Sequence, residues 1–169
     1  MAVRLALKLI ARSLCTGLDS VPASSLHTIE DDSVLPKLPL FDGSDSYTVS
    51  ASHNAELTVV AVSTNVFGID VENRAVQAWR GRNFFMHNSE QEMARQFPLG
   101  PEKAALRVWS SKEAAAKAFN VDLGSAAQNV CLTKIGDLIS DAKCKNQKFD
   151  VLHYEINDNL ITILLKCAS

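Results

Sequence analysis

Apolar and polar residues alternate in three short runs from Tyr47 onward, YTVSASH, ELTVVAVS and VFGIDVE, separated by Asn54-Ala55 and by Thr64-Asn65. Period-two runs rich in Val and Thr, broken by polar pairs, predict three strands joined by two successive hairpins, an antiparallel meander. From 75 to 97 the pattern becomes that of one or two helices carrying Trp79, Phe84, Phe85, Met93 and Phe97. Pro101 at a first helical position opens another helix to about Phe119, with Gly124 as its stop signal. QNVCLTKI then reads as a strand, and KFDVLHYEI and NLITILLKCA read as a terminal hairpin around Asn157-Asp158-Asn159. Strands grouped apart from helices predict an α+β domain, an antiparallel sheet packed against helices.

Ahead of this lies MAVRLALKLIARSLC, which puts Val3, Leu7, Ile10 and Leu14 on one helical stripe and Arg4, Lys8 and Arg12 on another, with no acid before Asp19. An organelle-targeting or membrane-surface helix has this pattern, as does an ordinary helix docked on the domain, which is the simpler expectation. Pro22, Pro36, Pro39 and the run Asp42 to Ser46 mark a turn-rich connection. The expected organisation is therefore residues 1–46, a helix and connection, followed by a compact domain at 47–169.

With 169 residues, 47% apolar and 21% charged, the chain has the composition of a single globular domain, which excludes disorder, collagen and coiled-coil architectures. A net charge of −2 gives no whole-molecule attraction to nucleic acid, and no apolar stretch reaches the roughly 20 residues of a membrane span. Cys15, Cys131, Cys144 and Cys167 form no C-x-x-C pair, so a reduced, cytoplasmic chain without a zinc knuckle is expected.

Candidate chemistry falls in two places. Strand periodicity puts Asp70 and Glu72 of Gly68-Ile69-Asp70-Val71-Glu72 on one face. Paired carboxylates repel unless a cation or donors lie between them, and hard oxygen ligands suit magnesium held together with a phosphate-bearing substrate. On the long helix Trp109, Glu113 and Lys117 follow at i, i+4 and i+8. Glu and Lys four apart also form a common surface pair. Trp109 and the small Ala114 to Ala116 run instead suggest a face that packs inward against close backbone or lines a cleft. Lys112 reads as a solvated lysine, His53 as a surface histidine beside the turn, and His87 and His153 as satisfied or exposed residues without chemistry.

Taken together, G-I-D-V-E and, some forty residues later, W-S-S-K-E-A-A-A-K-A resemble the signature of the 4′-phosphopantetheinyl transferases. Ser52-His53, two strands before Asp70, matches the Ser-His of the surfactin-synthetase-activating type, and Arg82-Asn83-Phe84-Phe85 with Glu90 resembles the helix that follows in the family. The motifs cover about residues 47 to 120. The resemblance implies transfer of the phosphopantetheine arm of coenzyme A to a serine of an acyl or peptidyl carrier protein, with release of adenosine 3′,5′-bisphosphate. Asp70, Glu72 and Glu113 would then be ligands of one magnesium. Lys117 would stabilise phosphoryl oxygens or protonate the leaving group, and Glu113 or a metal-bound water would accept the serine proton. Ser52 and His53, with Lys117, would contact coenzyme A. Since the carrier is typically acidic, Arg74, Arg80, Arg82 and Arg95 are candidates for docking it.

Two departures from the family pattern carry expectations of their own. Only about 50 residues precede Ser52-His53, fewer than the first half of the two-halved surfactin-activating type, whereas the trimeric holo-acyl-carrier-protein-synthase type starts almost at the G-x-D strand. A homo-oligomer, dimer or trimer, that completes the cleft in trans is one expectation. An N-terminal segment that substitutes for the missing half, with Lys37 near coenzyme A, is the other. A catalytically silent relative that binds coenzyme A or serves as an assembly subunit is the alternative function.

Overall fold

The structure is a computed structural model and describes residues 46–166, residues 37–39 and Ile10. The remaining N-terminal stripe residues, Pro22, Pro36, the Asp42 to Asp45 stretch, Cys15 and Cys167 lie outside the described residues.

Among the described residues eight strands form two sheets. Strands β1 (Lys37–Pro39), β2 (Ser46–His53) and β3 (Thr58–Ser63) make a small antiparallel sheet in that order. Strands β4 (Phe67–Glu72), β5 (Val130–Lys134), β6 (Ile139–Cys144), β7 (Gln147–Ile156) and β8 (Asn159–Lys166) make the main sheet in the order β4-β8-β7-β6-β5, every pair antiparallel. Between β4 and β5 run α1 (Ala75–Gly81), a 3-10 turn (Arg82–Phe84), α2 (Asn88–Arg95), α3 (Pro101–Phe119) and α4 (Leu123–Asn129). The α+β architecture with antiparallel sheets against helices is as the sequence predicts.

Local chemistry accounts for the boundaries. Pro101 sits in the first turn of α3 after Gly100 at φ 93°, and Asn120 ends the helix in the left-handed conformation, its N–H bonded to the Ala116 carbonyl. Gly124 is not the stop: it lies in the first turn of α4, which Asp122 caps by accepting from the Ser125 N–H at 2.9 Å. Asn157 and Asp158, both at positive φ, form the two-residue turn that sets Ile156 opposite Asn159.

The predicted meander is corrected at its second hairpin. β2 and β3 do pair, but β4 leaves them after Thr64-Asn65 and pairs with β8, almost a hundred residues on. Both faces of β4 are covered, and all six of its residues are buried. Gly68, Asp70 and Glu72 face α3, while Ile69 and Val71, with Ile161 of β8, pack on Val59 and Ala61 of the small sheet and on Leu57 just before β3. A strand with two covered faces needs a near-continuous apolar run, and the two carboxylates interrupt this one only on the helix side. Two strands are added to those expected: β1, within the stretch read as connection, pairs with β2, and β6, ISDAKC, pairs with β5 and β7. The buried positions of β6 are the small residues Ser140 and Ala142, so it carries little hydrophobic signal.

The main core lies between α3 and the inner face of the sheet, where Ala104, Ala105, Val108, Ala115 and Ala118 meet Val130, Leu132, Phe149, Val151 and Leu164. Among the described residues no helix is long and apolar enough to cross a membrane.

Candidate active site

Strand β4 and helix α3 meet backbone to backbone. A Cβ at Gly68 would stand 1.9 Å from the Ala114 carbonyl oxygen and 2.9 Å from the Ala118 nitrogen, so only glycine fits opposite the alanine run. This approach brings the strand carboxylates within reach of the helix face that carries Trp109, Glu113 and Lys117.

Asp70, 4% exposed, is the hub. Its Oδ1 accepts from Lys117 Nζ at 2.8 Å and from Ser52 Oγ at 2.9 Å, and its Oδ2 accepts from Ser110 Oγ at 2.9 Å. Lys117 donates further to Ser52 Oγ at 2.9 Å and to the Ile69 carbonyl at 3.1 Å. Glu72 faces the same way and is held by Arg74, whose Nε and second guanidinium nitrogen donate to its two oxygens at 3.0 and 2.5 Å. The Arg74 guanidinium is favoured in its charged form by Glu72 above all and, more weakly, by Asp70 and Glu113.

Glu113 is the carboxylate without a donor: it accepts no hydrogen bond among the described residues. Burial pushes its carboxyl above the usual range, Asp70 and then Glu72 push it further, and Lys117 and Arg74 pull it back. Three carboxylates thus share one neighbourhood with two protein cations.

These oxygen donors have the chemistry of a magnesium site, and the unrelieved Glu113 is the kind of charge that a divalent cation would compensate. As they stand, Asp70 and Glu72 are engaged by Lys117 and Arg74. Among the described residues no group of three His, Cys, Asp or Glu side chains is gathered as a metal-holding cluster.

Of the residues singled out in the sequence, Ser52, Asp70, Glu72, Glu113 and Lys117 come together. His53 does not: strand alternation turns it away from Ser52, and it is exposed. Trp109 stacks edge-on against Phe85, ring centroids 5.0 Å apart, and with Phe85, Leu106, Ala78, Glu72 and Arg74 it lines a largely apolar cavity of about 330 Å³. Ser110, not among the residues singled out in the sequence, joins them through its hydrogen bond to Asp70. It sits three residues before Glu113 and seven before Lys117, a spacing that puts all three on one helical face.

Lys112 is not solvated. It is fully buried and donates to the Phe85 carbonyl at 2.6 Å, to Glu90 Oε2 at 2.8 Å and to the Ala127 carbonyl at 3.2 Å. Glu90, also fully buried, accepts in addition from the backbone N–H groups of His87 and Leu132. Burial lowers the Lys112 pKa, and Glu90 opposes the shift. The pair joins α3 to α2, α4 and β5 and so fixes which face α3 turns toward β4. His153 is a satisfied core residue, hydrogen-bonded to Ser140 and Thr162 at 2.9 and 3.1 Å, and burial followed by the nearby Arg107 lowers its pKa to about 3. His87 caps the N-terminus of α2. Cys131 and Cys144 are free thiols.

No curated protein matches the chain. A family model does: that of the 4′-phosphopantetheinyl transferase superfamily, over residues 66–160, more than half of the chain and the span that holds Asp70, Glu72, Glu113 and Lys117. With that span carrying the strand and helix motifs against each other, the chain belongs to the 4′-phosphopantetheinyl transferase superfamily.

Proposed function

We propose that the protein transfers the 4′-phosphopantetheine moiety of coenzyme A to a serine hydroxyl of an apo acyl or peptidyl carrier protein and releases adenosine 3′,5′-bisphosphate. The observation that carries this reading is the convergence of Asp70, Glu72, Glu113 and Lys117 between β4 and α3 inside the family span. Asp70, Glu72 and Glu113 would hold one magnesium ion, which when bound supplies positive charge to the diphosphate. Lys117, anchored by Asp70, places a positive charge near the phosphates, and its field favours departure of the bisphosphate. Glu113, a half-buried carboxylate that accepts no hydrogen bond among the described residues, accepts the proton of the attacking serine as the new phosphoester bond forms and the bond to the leaving group breaks.

The apolar cavity beside Glu72 offers room for the pantetheine arm. For the acidic carrier, the basic candidates differ in what they are free to do. Arg74 is paired with Glu72, Arg95 with Glu92, and Arg82 lies 4.3 Å over the Trp79 ring, whereas Arg80 is exposed and has no ion pair among the described residues. Arg80 is therefore the docking residue we favour, with Phe84, 91% exposed, close by in the chain.

The test is incubation of the purified protein with coenzyme A, magnesium and a panel of apo carrier proteins, with carrier mass as readout and Glu113→Gln as control. A gain of one phosphopantetheine group, lost in the variant and on chelation of magnesium, supports the proposal. Coenzyme A binding without transfer to any carrier would favour the silent assembly subunit instead.

A further inference from the structure

Ser52 lies on β2, outside the residues 66–160 that carry the family match, and is 7% exposed. A hydroxyl has one proton to donate and two lone pairs to accept with. In Ser52 all three are used: Oγ donates to Asp70 Oδ1 at 2.9 Å and accepts from Lys117 Nζ at 2.9 Å and from the Val71 N–H at 3.2 Å. Through this one hydroxyl both members of the Asp70–Lys117 pair are tied to the backbone of β4. Lys117 is correspondingly complete, with its three donors spent on Ser52, Asp70 and the Ile69 carbonyl.

We infer that Ser52 is a positioning residue: it locks the Asp70 carboxylate and the Lys117 ammonium into one arrangement. The kinetic consequence rests on the transferase reading; the geometric one does not. Ser50, two residues earlier on the same strand, supplies a matched comparison. Its hydroxyl accepts the Ile69 N–H at 3.1 Å, as that of Ser52 accepts the Val71 N–H, and it has no hydrogen bond to Asp70 or Lys117. Together the two serines close the outer edge of β4 with side chains where another strand would have used its backbone, and Ser52 alone extends that bond into the site.

The experiment compares Ser52→Ala and Ser50→Ala in the full chain by unfolding midpoint, calorimetric coenzyme A binding, carrier-modification kinetics and the 15N resonance of the Lys117 ammonium, assigned with Lys117→Arg. Both variants lose an edge hydrogen bond and fall in midpoint, Ser52→Ala further because it also loses its bonds to Asp70 and Lys117. Ser52→Ala alone is expected to shift the Lys117 resonance and to lower kcat by about 10- to 100-fold with coenzyme A affinity within about twofold, the signature of lost alignment. Ser52→Cys, which keeps the strand packed and weakens the hydrogen bonds, carries the same expectations should the alanine variant not fold. Weakened coenzyme A binding with kcat retained would overturn the inference in favour of a ligand contact. Equal effects of the two alanine variants on kcat and on the Lys117 resonance would overturn it in favour of a general role at the strand edge. If the wild type modifies no carrier, the transferase proposal fails by itself, and the resonance decides: a shift in Ser52→Ala but not Ser50→Ala upholds the positioning role, and no difference between them ends it.

Discussion

Lys117 Nζ reaches across from helix α3 to Asp70 Oδ1 on strand β4, 2.8 Å away, and ties the two motif-bearing elements by a charge-assisted hydrogen bond. Lys117→Met keeps the aliphatic stem and deletes the charge. Loss of a preorganised donor of this kind lowers kcat by about 10²- to 10³-fold. Because the lysine side chain is 31% exposed, the loss of stability should stay below the roughly 3–5 kcal/mol of a fully buried pair. Carrier-modification rates and urea unfolding measure the two effects separately.

Glu113→Gln should act in opposite directions on stability and function. The native carboxylate is partly buried beside Asp70 and Glu72 without a hydrogen-bond donor, so in the absence of metal it opposes folding at neutral pH. Its raised pKa means that the native state holds the proton more tightly than the unfolded chain, and stability falls as pH rises from the unfolded value toward the native one. The neutral glutamine removes that penalty, and the thermal midpoint measured at pH 7 in chelator should rise by a few degrees while carrier modification is lost. An unchanged or lower midpoint would contradict the electrostatic account.

The buried Lys112–Glu90 pair gives a third prediction. Glu90→Gln leaves an ammonium among backbone carbonyls without its counter-charge and should cost about 3–5 kcal/mol in denaturant unfolding. Adding Lys112→Met should recover part of that loss, because glutamine still accepts the Leu132 N–H and no unpaired charge remains. A double variant as unstable as the single one would show that hydrogen bonding, not charge, dominates there.

His153 predicts an acid limit. Its pKa is about 3 in the folded chain against 6.5 when exposed, so the unfolded state binds a proton that the native state refuses. The stabilising contribution is whole above about pH 6.5 and is lost as pH falls toward 3, with a limiting slope of about 1.4 kcal/mol per pH unit. His153→Gln should flatten the stability profile in that window, and chemical denaturation at pH 4, 5, 6 and 7 checks it.

Much of the site is legible in the chain because it obeys two simple periods. The period of a strand puts Asp70 beside Glu72, and the period of a helix puts Trp109, Glu113 and Lys117 in line, as it does Ser110. The partner of β4 is not legible. Thr64-Asn65 looks like any hairpin turn, and only the distant Ile161 and Leu164 of β8 decide that the strand leaves β3. Lys112 was obscured for a related reason: next to Glu113 it reads as surface, and its three acceptors come from residues 15, 22 and 27 positions away in the chain. β6 hides its strand nature behind Ser140 and Ala142, small residues that are buried yet add little to a hydrophobic pattern.

Gly68→Ala should be damaging out of proportion to one methyl group. The new Cβ would fall 1.9 Å from the Ala114 carbonyl oxygen, where the obstacle is backbone and cannot rotate aside. Overpacking of this sort costs roughly 1–3 kcal/mol or more, and the forced separation should weaken the Lys117–Asp70 contact as well. Unfolding midpoint and transfer rate should therefore fall together. A variant that is destabilised but fully active would show that the strand and helix separate without disturbing the pair.

That same contact also makes the helix a lever. With Gly68 seated against Ala114, α3 cannot slide along β4, and any tilt must turn about this point as a fulcrum. Trp109 lies more than a turn of helix to one side and Lys117 almost a turn to the other, so a tilt of α3 would move the cavity wall and the ammonium in opposite senses relative to β4.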